Sequence, residues 1–252
     1  MSAVLEVVEF LMRSAGDFLH VLSMLVLLVK MQRTKSCSGI SLKAQLLYLA
    51  VFVLRYSDLV IYTALFPGRL FASVRLVYNS FMKMLFTSLQ SFIIFVMTKR
   101  FYYSYDAEFD DAPAWMFFVA ALTGGVFLTE GTRQREYRVV HSLVNWFYTS
   151  SVVLESVSIV PQLVLLQKAG EGESLTVHYV IFLGLYRVFY ILGWIAKWLN
   201  SKDVSKILIW GSVAQTLLYS DLFIVYARSF VAKRKSFRIY PRMFIRDAFG
   251  WK

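Results

Sequence analysis

Residues Leu154–Trp198 read LESVSIVPQLVLLQKAGEGESLTVHYVIFLGLYRVFYILGWIAKW. Two apolar segments of membrane-spanning length flank one short polar turn, Lys168–Ser174. Each arm nonetheless carries charge: Glu155 in the first, Arg187 and Lys197 in the second. Ionisable groups at membrane depth are costly and mark a ligand or ion path more often than chance placement.

The same pattern extends through all 252 residues, which are 58% hydrophobic and 17% charged. Soluble domains are about 45–50% apolar and about 25% charged. The excess falls in blocks of about 20 residues, the length of a bilayer-crossing helix. Seven spans are predicted, near Leu11–Met31, Leu42–Leu65, Ser80–Met97, Trp115–Leu128, Leu143–Leu166, Thr176–Trp198 and Ile207–Val231. The fourth is short and carries Gly124–Gly125. The expected fold is an all-α membrane domain over residues 1–231, followed by a basic tail over 232–252.

The net charge of +11 fits positive-inside topology better than nucleic-acid binding, because much of it sits in one tail. Arg228–Lys252 holds eight Lys/Arg against one acid, Asp247, which places the tail in the cytoplasm and the N-terminus in the lumen. Lys30, Arg33, Lys35 and Lys43 agree as a first cytoplasmic loop. Arg133, Arg135 and Arg138 break the rule and read as a basic vestibule for an acidic ligand. Met1–Met12 lacks a basic n-region, so the first helix is expected to serve as an uncleaved insertion signal. Cys37 is the sole cysteine and excludes an intramolecular disulfide.

Five helices are expected to carry polar stripes. Arg13, Asp17 and His20 share one helical face, as do Arg55 and Asp58 on the second helix. Lys83 and Gln90 follow on the third, then Asn145, Tyr148 and Glu155 on the fifth. Arg187, Tyr190, Trp194 and Lys197 align on the sixth. Such stripes avoid lipid and converge most simply on one cavity. Its cations outnumber its acids, which suits an anionic ligand, and Arg binds carboxylates bidentately. The alternative is that the charges pair internally, as Arg55–Asp58 and Glu155–Arg187, and fix helix packing. Tyr186, Tyr190 and Trp194 also fit ordinary interfacial aromatics. No nucleophile–base pair, metal-spaced cluster or cofactor motif stands out, so a non-enzymatic protein is expected.

Several motifs resemble the KDEL receptor family of ER-retention receptors. They are R-x-x-G-D-x-x-H at Arg13–His20, KSCSGIS-x-K-x-Q at Lys35–Gln45 and RY-x-DL at Arg55–Leu59. N-x-x-MK at Asn79–Lys83, LESV-x-I-x-PQL at Leu154–Leu163 and YR-x-x-Y at Tyr186–Tyr190 extend the match, as does QT-x-LY-x-D at Gln215–Asp221. The Pro161–Gln162 dipeptide also resembles PQ-loop and SWEET-type proteins, two three-helix bundles joined by a linking helix. A faint repeat agrees, pairing Ser41-Leu42 and Arg55 with Ser174-Leu175 and Arg187.

The resemblance implies a receptor that binds C-terminal tetrapeptides of the Lys-Asp-Glu-Leu type in the acidic Golgi. It would return them to the endoplasmic reticulum in coat-protein-I vesicles and release them near neutral pH. By the same resemblance Arg13, Arg55 and Lys83 would hold the signal's carboxylates. His20, with an ordinary pKa of ~6.5, would sense pH. Glu155 and Tyr186 would lock the bound state beside Arg187, and Lys233, Arg234 and Lys235 would recruit the coat. That cluster equally fits anionic lipid. Asn145, Tyr148, Gly193 and Lys197 depart from family residues (glutamate, tryptophan, asparagine and arginine). Loss of the glutamate and the tryptophan, which suit the signal's lysine by charge and by cation–π contact, implies relaxed or altered choice at the fourth residue from the signal's end. The runner-up reading is a PQ-loop-like transporter of a small anionic solute.

Overall fold

A computed structural model of the chain describes residues 2–65, 73–129, 138–169, 171–172, 174–200, 207–217 and 237–238. Nine α-helices account for nearly all of them: α1 (Ser2–Thr34), α2 (Leu42–Arg55), α3 (Ser57–Leu65), α4 (Val74–Phe95), α5 (Ala114–Leu128), α6 (Arg138–Val157), α7 (Val160–Ala169), α8 (Ser174–Leu199) and α9 (Ile207–Leu217). A two-residue antiparallel pairing joins Glu171–Gly172 to Phe237–Arg238. Five continuous or near-continuous helices are long and apolar enough to cross a membrane. They are Val4–Thr34, Leu42–Leu65, Val74–Arg100, Arg138–Leu166 and His178–Leu199. Ala114–Leu128 and Ile207–Leu217 are shorter apolar helices. The remainder of the predicted seventh span, with Arg133, Arg135 and the Lys233–Lys235 cluster, lies outside the described residues.

Two spans break, one of them where its sequence requires it. Pro161 has no N–H to donate and disfavours helix immediately before it, so the fifth span divides at Ser158–Ile159. Ser158 Oγ compensates by donating to the Leu154 carbonyl at 2.7 Å. The second span divides at Tyr56, whose φ −99°, ψ 9° leaves the helical region. A π-helical turn, Val96–Arg100, ends the third.

The helices pack around two polar layers. At one end, the loop after α1 is strapped down by buried hydrogen bonds. Ser41 Oγ donates to Asp110 at 2.7 Å while its own N–H donates to Gln162 Oε1 at 2.9 Å. Gln162 Nε2 returns a bond to the Gly39 carbonyl at 2.8 Å. Asp106 accepts from Ser38 Oγ at 2.7 Å and from the Gly39 N–H at 2.8 Å. Lys30, expected as a loop charge, is instead 1% exposed inside α1 and donates to the Ser38 carbonyl. One turn further in, Gln45 Nε2 donates to Tyr179 Oη at 3.0 Å, and Gln90 Nε2 to the Gln45 side chain at 2.9 Å. The PQ glutamine therefore ties α7 to the cap of α2, and Gln45 ties α2 to α8.

Cys37 is wholly buried: its N–H donates to Ser104 Oγ at 2.9 Å and its thiol to the Phe101 carbonyl at 3.1 Å. Desolvation pushes its pKa up, so the reactive thiolate is scarce at neutral pH. Cys37 in the folded protein is therefore expected to react with maleimide on the order of a hundredfold more slowly than a free thiol. Full reactivity should return on denaturation, followed by mass spectrometry. Burial and the neighbouring Asp110 likewise push Tyr105 well above its ordinary range, keeping it a donor to that carboxylate.

The glycine pair of the short fourth span has a packing role at one position only. An added Cβ at Gly125 would lie 2.0 Å from Ser150 Oγ and 3.2 Å from its Cα, so α5 and α6 meet backbone to backbone there. At Gly124 nothing lies within 4 Å. Gly125→Ala is expected to cost about 1–3 kcal/mol of stability through overpacking. Gly124→Ala should be neutral or stabilising by up to ~1 kcal/mol, through higher helix propensity. Paired thermal melts check both.

Candidate functional site

A cavity of about 340 Å³ opens between α1, α2, α3, α4, α6, α8 and α9. It lies at the end of the bundle that carries the α1 N-terminus, and burial rises away from that end. At its deep end α1 contributes His20, 4% exposed, whose ring stacks on Tyr186 with centroids 4.2 Å apart and planes within 3°. His20 does not line the cavity; Phe52 and Phe86 complete its apolar surround.

Behind the same wall sits Glu155, 3% exposed. It accepts from Tyr186 Oη at 2.9 Å, from Arg187 Nη2 at 2.7 Å and from Arg55 Nη1 at 2.6 Å. One buried carboxylate thus holds two guanidinium groups and a phenol. Arg55 also donates from Nε to Ser151 Oγ at 3.1 Å and lies 6.0 Å from the Tyr148 ring. Its Nη2 is buried with no acceptor among the described residues, as are Arg187 Nε and His20 Nε2. A buried donor without an acceptor costs about 1–3 kcal/mol, so Arg55 is poised to bond an acceptor arriving in the cavity.

Of the two pairs in the internal-pairing alternative, Arg55–Asp58 does not form. The break at Tyr56 turns Asp58 away, and it accepts from Lys83 Nζ at 2.6 and 2.8 Å and from the Leu59 N–H at 2.7 Å. The other pair of that alternative, Glu155–Arg187, is present. Asp17 accepts from Tyr190 Oη and, at 2.9 Å, from Tyr78 Oη, which fastens α8 and α4 to α1. Higher still, Arg13 is exposed and donates to Asn79 Oδ1 at 3.0 Å.

The structure brings Arg13, Arg55, Asp58, Lys83, Tyr148, Arg187, Tyr190, Trp194 and Lys197 to one cavity. It does not bring Asn145, which is exposed on α6 and absent from the lining. Gln90 lies below, in the Gln45 layer. Sequence reasoning missed Glu9 as a lining residue. The signal was available: Glu9 extends the Arg13–Asp17–His20 stripe by one turn. Five cations line the cavity against three acids, Glu9, Asp17 and Asp58, with Glu155 directly behind. Such a chamber suits a ligand that carries carboxylates.

Comparison with known proteins gives a consistent set of relatives. A family model described as ER lumen protein retaining receptor matches residues 36–197. ER lumen protein-retaining receptor 3 of Mus musculus is 35% identical over 223 residues, covering 88% of this chain and 95% of its own length. The ER lumen protein-retaining receptor of Drosophila melanogaster is 35% identical over 223 residues, with coverage of 88% and 96%. Receptor A of Arabidopsis thaliana is 37% identical over 226 residues, again covering 88% and 96%.

Proposed function

Because the chain belongs to the ER lumen protein-retaining receptor family, non-enzymatic membrane receptors, we propose that it captures escaped lumenal proteins by their C-terminal Lys-Asp-Glu-Leu-type signals. The observation that carries this reading is the buried Arg55 Nη2, without an acceptor among the described residues at the deep end of a cation-rich cavity. A terminal carboxylate is an acceptor of the right charge for it. Lys83 lies beside the same end, with Arg13 and Lys197 above for the signal's acidic side chains. Tyr148, Tyr190 and Trp194 wall the channel.

In this reading His20 is the pH sensor. Protonation in the acidic Golgi adds a cation beneath Tyr186, and its loss near neutral pH releases the cargo. The Tyr186–Glu155 bond and Arg187 lock the bound state. The chain is a multi-pass protein of endoplasmic reticulum and Golgi membranes, N-terminus lumenal, its spans arranged as two three-helix bundles and a linking helix. The cross-tying roles of Gln45 and Gln162 support that internal repeat. Lys233, Arg234 and Lys235 recruit the coat-protein-I coat for retrograde transport.

The test is peptide binding by the purified protein at pH ~5.4 and ~7.4, which straddle the ordinary histidine pKa. Tight binding at the lower pH, lost on C-terminal amidation, is expected. Binding that is equal at both pH values, or indifferent to amidation, would sink the reading.

A further inference from the structure

At the end of the bundle opposite the cavity mouth, the cations fall into two groups. Lys30, Lys43 and Lys168 are engaged in the fold, with the Ser38 carbonyl, the Ala112 carbonyl and Asp111 respectively. Arg33, Lys35, Lys99 and Arg100 are exposed, and none of the four makes an ion pair among the described residues. The fold clamps them into one patch. Arg33 and Lys35 stand at the end of α1, and Lys99 and Arg100 in the π-helical turn that ends the third span. Tyr103 Oη donates to the Lys35 carbonyl at 2.8 Å, and the Cys37 N–H to Ser104 Oγ at 2.9 Å. The neighbouring acids are engaged elsewhere. Asp106 accepts from Ser38 and Gly39, Asp110 from Ser41 and Tyr105, and Asp111 pairs with Lys168. Glu108 is exposed on the turn between Asp106 and Asp110.

Two further features set this patch apart from ordinary helix-end charge. Lys35 has left-handed backbone, φ 53°, the one non-glycine residue to do so among the described residues. Glycine is the residue of least strain at such a helix end, so a lysine is held there at a cost. Tyr102 and Tyr103 beside it are 59% and 77% exposed, and Phe95, just before the π-helical turn, is 56% exposed. Exposed aromatics at the end of a membrane-spanning helix mark the headgroup level. Basic side chains in a last turn also offset the negative helix end, but that role asks for neither an aromatic rim nor a left-handed lysine. We infer that Arg33, Lys35, Lys99 and Arg100 form a site for the headgroup of an anionic phospholipid, with Tyr102 and Tyr103 at its glycerol level. Four cations without acid partners suit a headgroup that carries a phosphomonoester beside its phosphodiester, and so more than one negative charge. With the N-terminus lumenal, as proposed above, this end meets the cytoplasmic leaflet, where anionic lipids concentrate.

The experiment titrates dioctanoyl phosphatidylinositol monophosphate, and separately dioctanoyl phosphatidylcholine, into the purified full chain in neutral detergent, followed by calorimetry. The wild type is expected to favour the phosphoinositide by more than about tenfold. Arg33→Gln, Lys99→Gln and Arg100→Gln should each weaken that binding about fivefold, the strength of one basic side chain at an anionic surface. Lys35→Gly should weaken it as much without lowering the melting temperature, because glycine suits φ 53°. Joint replacement of Lys233, Arg234 and Lys235 by Gln should leave the affinity unchanged. Binding that survives all four patch substitutions, or that is lost only with the tail substitutions, overturns the site. So does a wild type that takes both lipids equally. The result is independent of what the cavity binds.

Discussion

Glu155→Ala is expected to destabilise the folded protein by about 3–5 kcal/mol, the cost of leaving a buried charge without its partner. Three donors converge on this carboxylate from two other helices: Arg55 of α2 at 2.6 Å, and Arg187 at 2.7 Å and Tyr186 at 2.9 Å, both of α8. Its removal leaves two guanidinium groups side by side, with no acid between them and little access to water, since the Arg187 side chain is 4% exposed. In a chain of this size the melting temperature should fall by about 6–20 °C. Glu155→Gln keeps an acceptor for one donor and should fall between wild type and alanine. Thermal unfolding in detergent, read out by reaction of the buried Cys37 with a fluorogenic maleimide, measures both. An unchanged melting temperature would mean that the two arginines do not depend on Glu155 for their charge balance.

Arg13→Ala should instead spare stability and remove affinity. Arg13 is exposed, and its one bond to Asn79 is at 3.0 Å, so the fold loses little. A ligand carboxylate would lose a charged, two-pronged partner worth about 2–3 kcal/mol, a weakening of about 30- to 150-fold for Lys-Asp-Glu-Leu peptides. Arg13→Lys keeps the charge without the fork and should recover only part of the loss. Calorimetric titration beside a melting curve separates the two effects. Equal affinity in wild type and Arg13→Ala would place the signal's acidic side chains elsewhere in the cavity.

The membrane-spanning helices were legible because hydropathy is a property of composition over about 20 residues, and local detail hardly alters it. The α1 stripe and the Arg187–Lys197 stripe were legible for a similar reason: each lies within an unbroken helix, where spacing alone sets the face. Arg55 and Asp58 also have helical spacing, yet they separate because Tyr56 leaves the helical region between them. Periodicity cannot report a break that carries no proline or glycine. The Asp106 and Asp110 straps were hidden for another reason. They act on residues more than sixty positions away, through hydrogen bonds that no local pattern encodes. Asn145 fits its stripe by count yet is exposed and off the lining, whereas the identically spaced Arg187 and Lys197 both line the cavity: spacing sets which residues share a face, and packing decides which part of that face meets the cavity.

The two glutamine ties have a mechanical meaning for how the molecule can open. The end opposite the cavity mouth is stitched across by Gln162, Ser41, Asp110, Gln45 and Gln90, all buried. At about 1 kcal/mol per bond, parting that seam costs several kcal/mol before any new contact forms. A carrier that lets solute through must open both ends in alternation at modest energy. On the receptor reading proposed above, a chain sewn shut at that end acts as a cup: it fills and empties through the same rim, and its cargo leaves by the way it came.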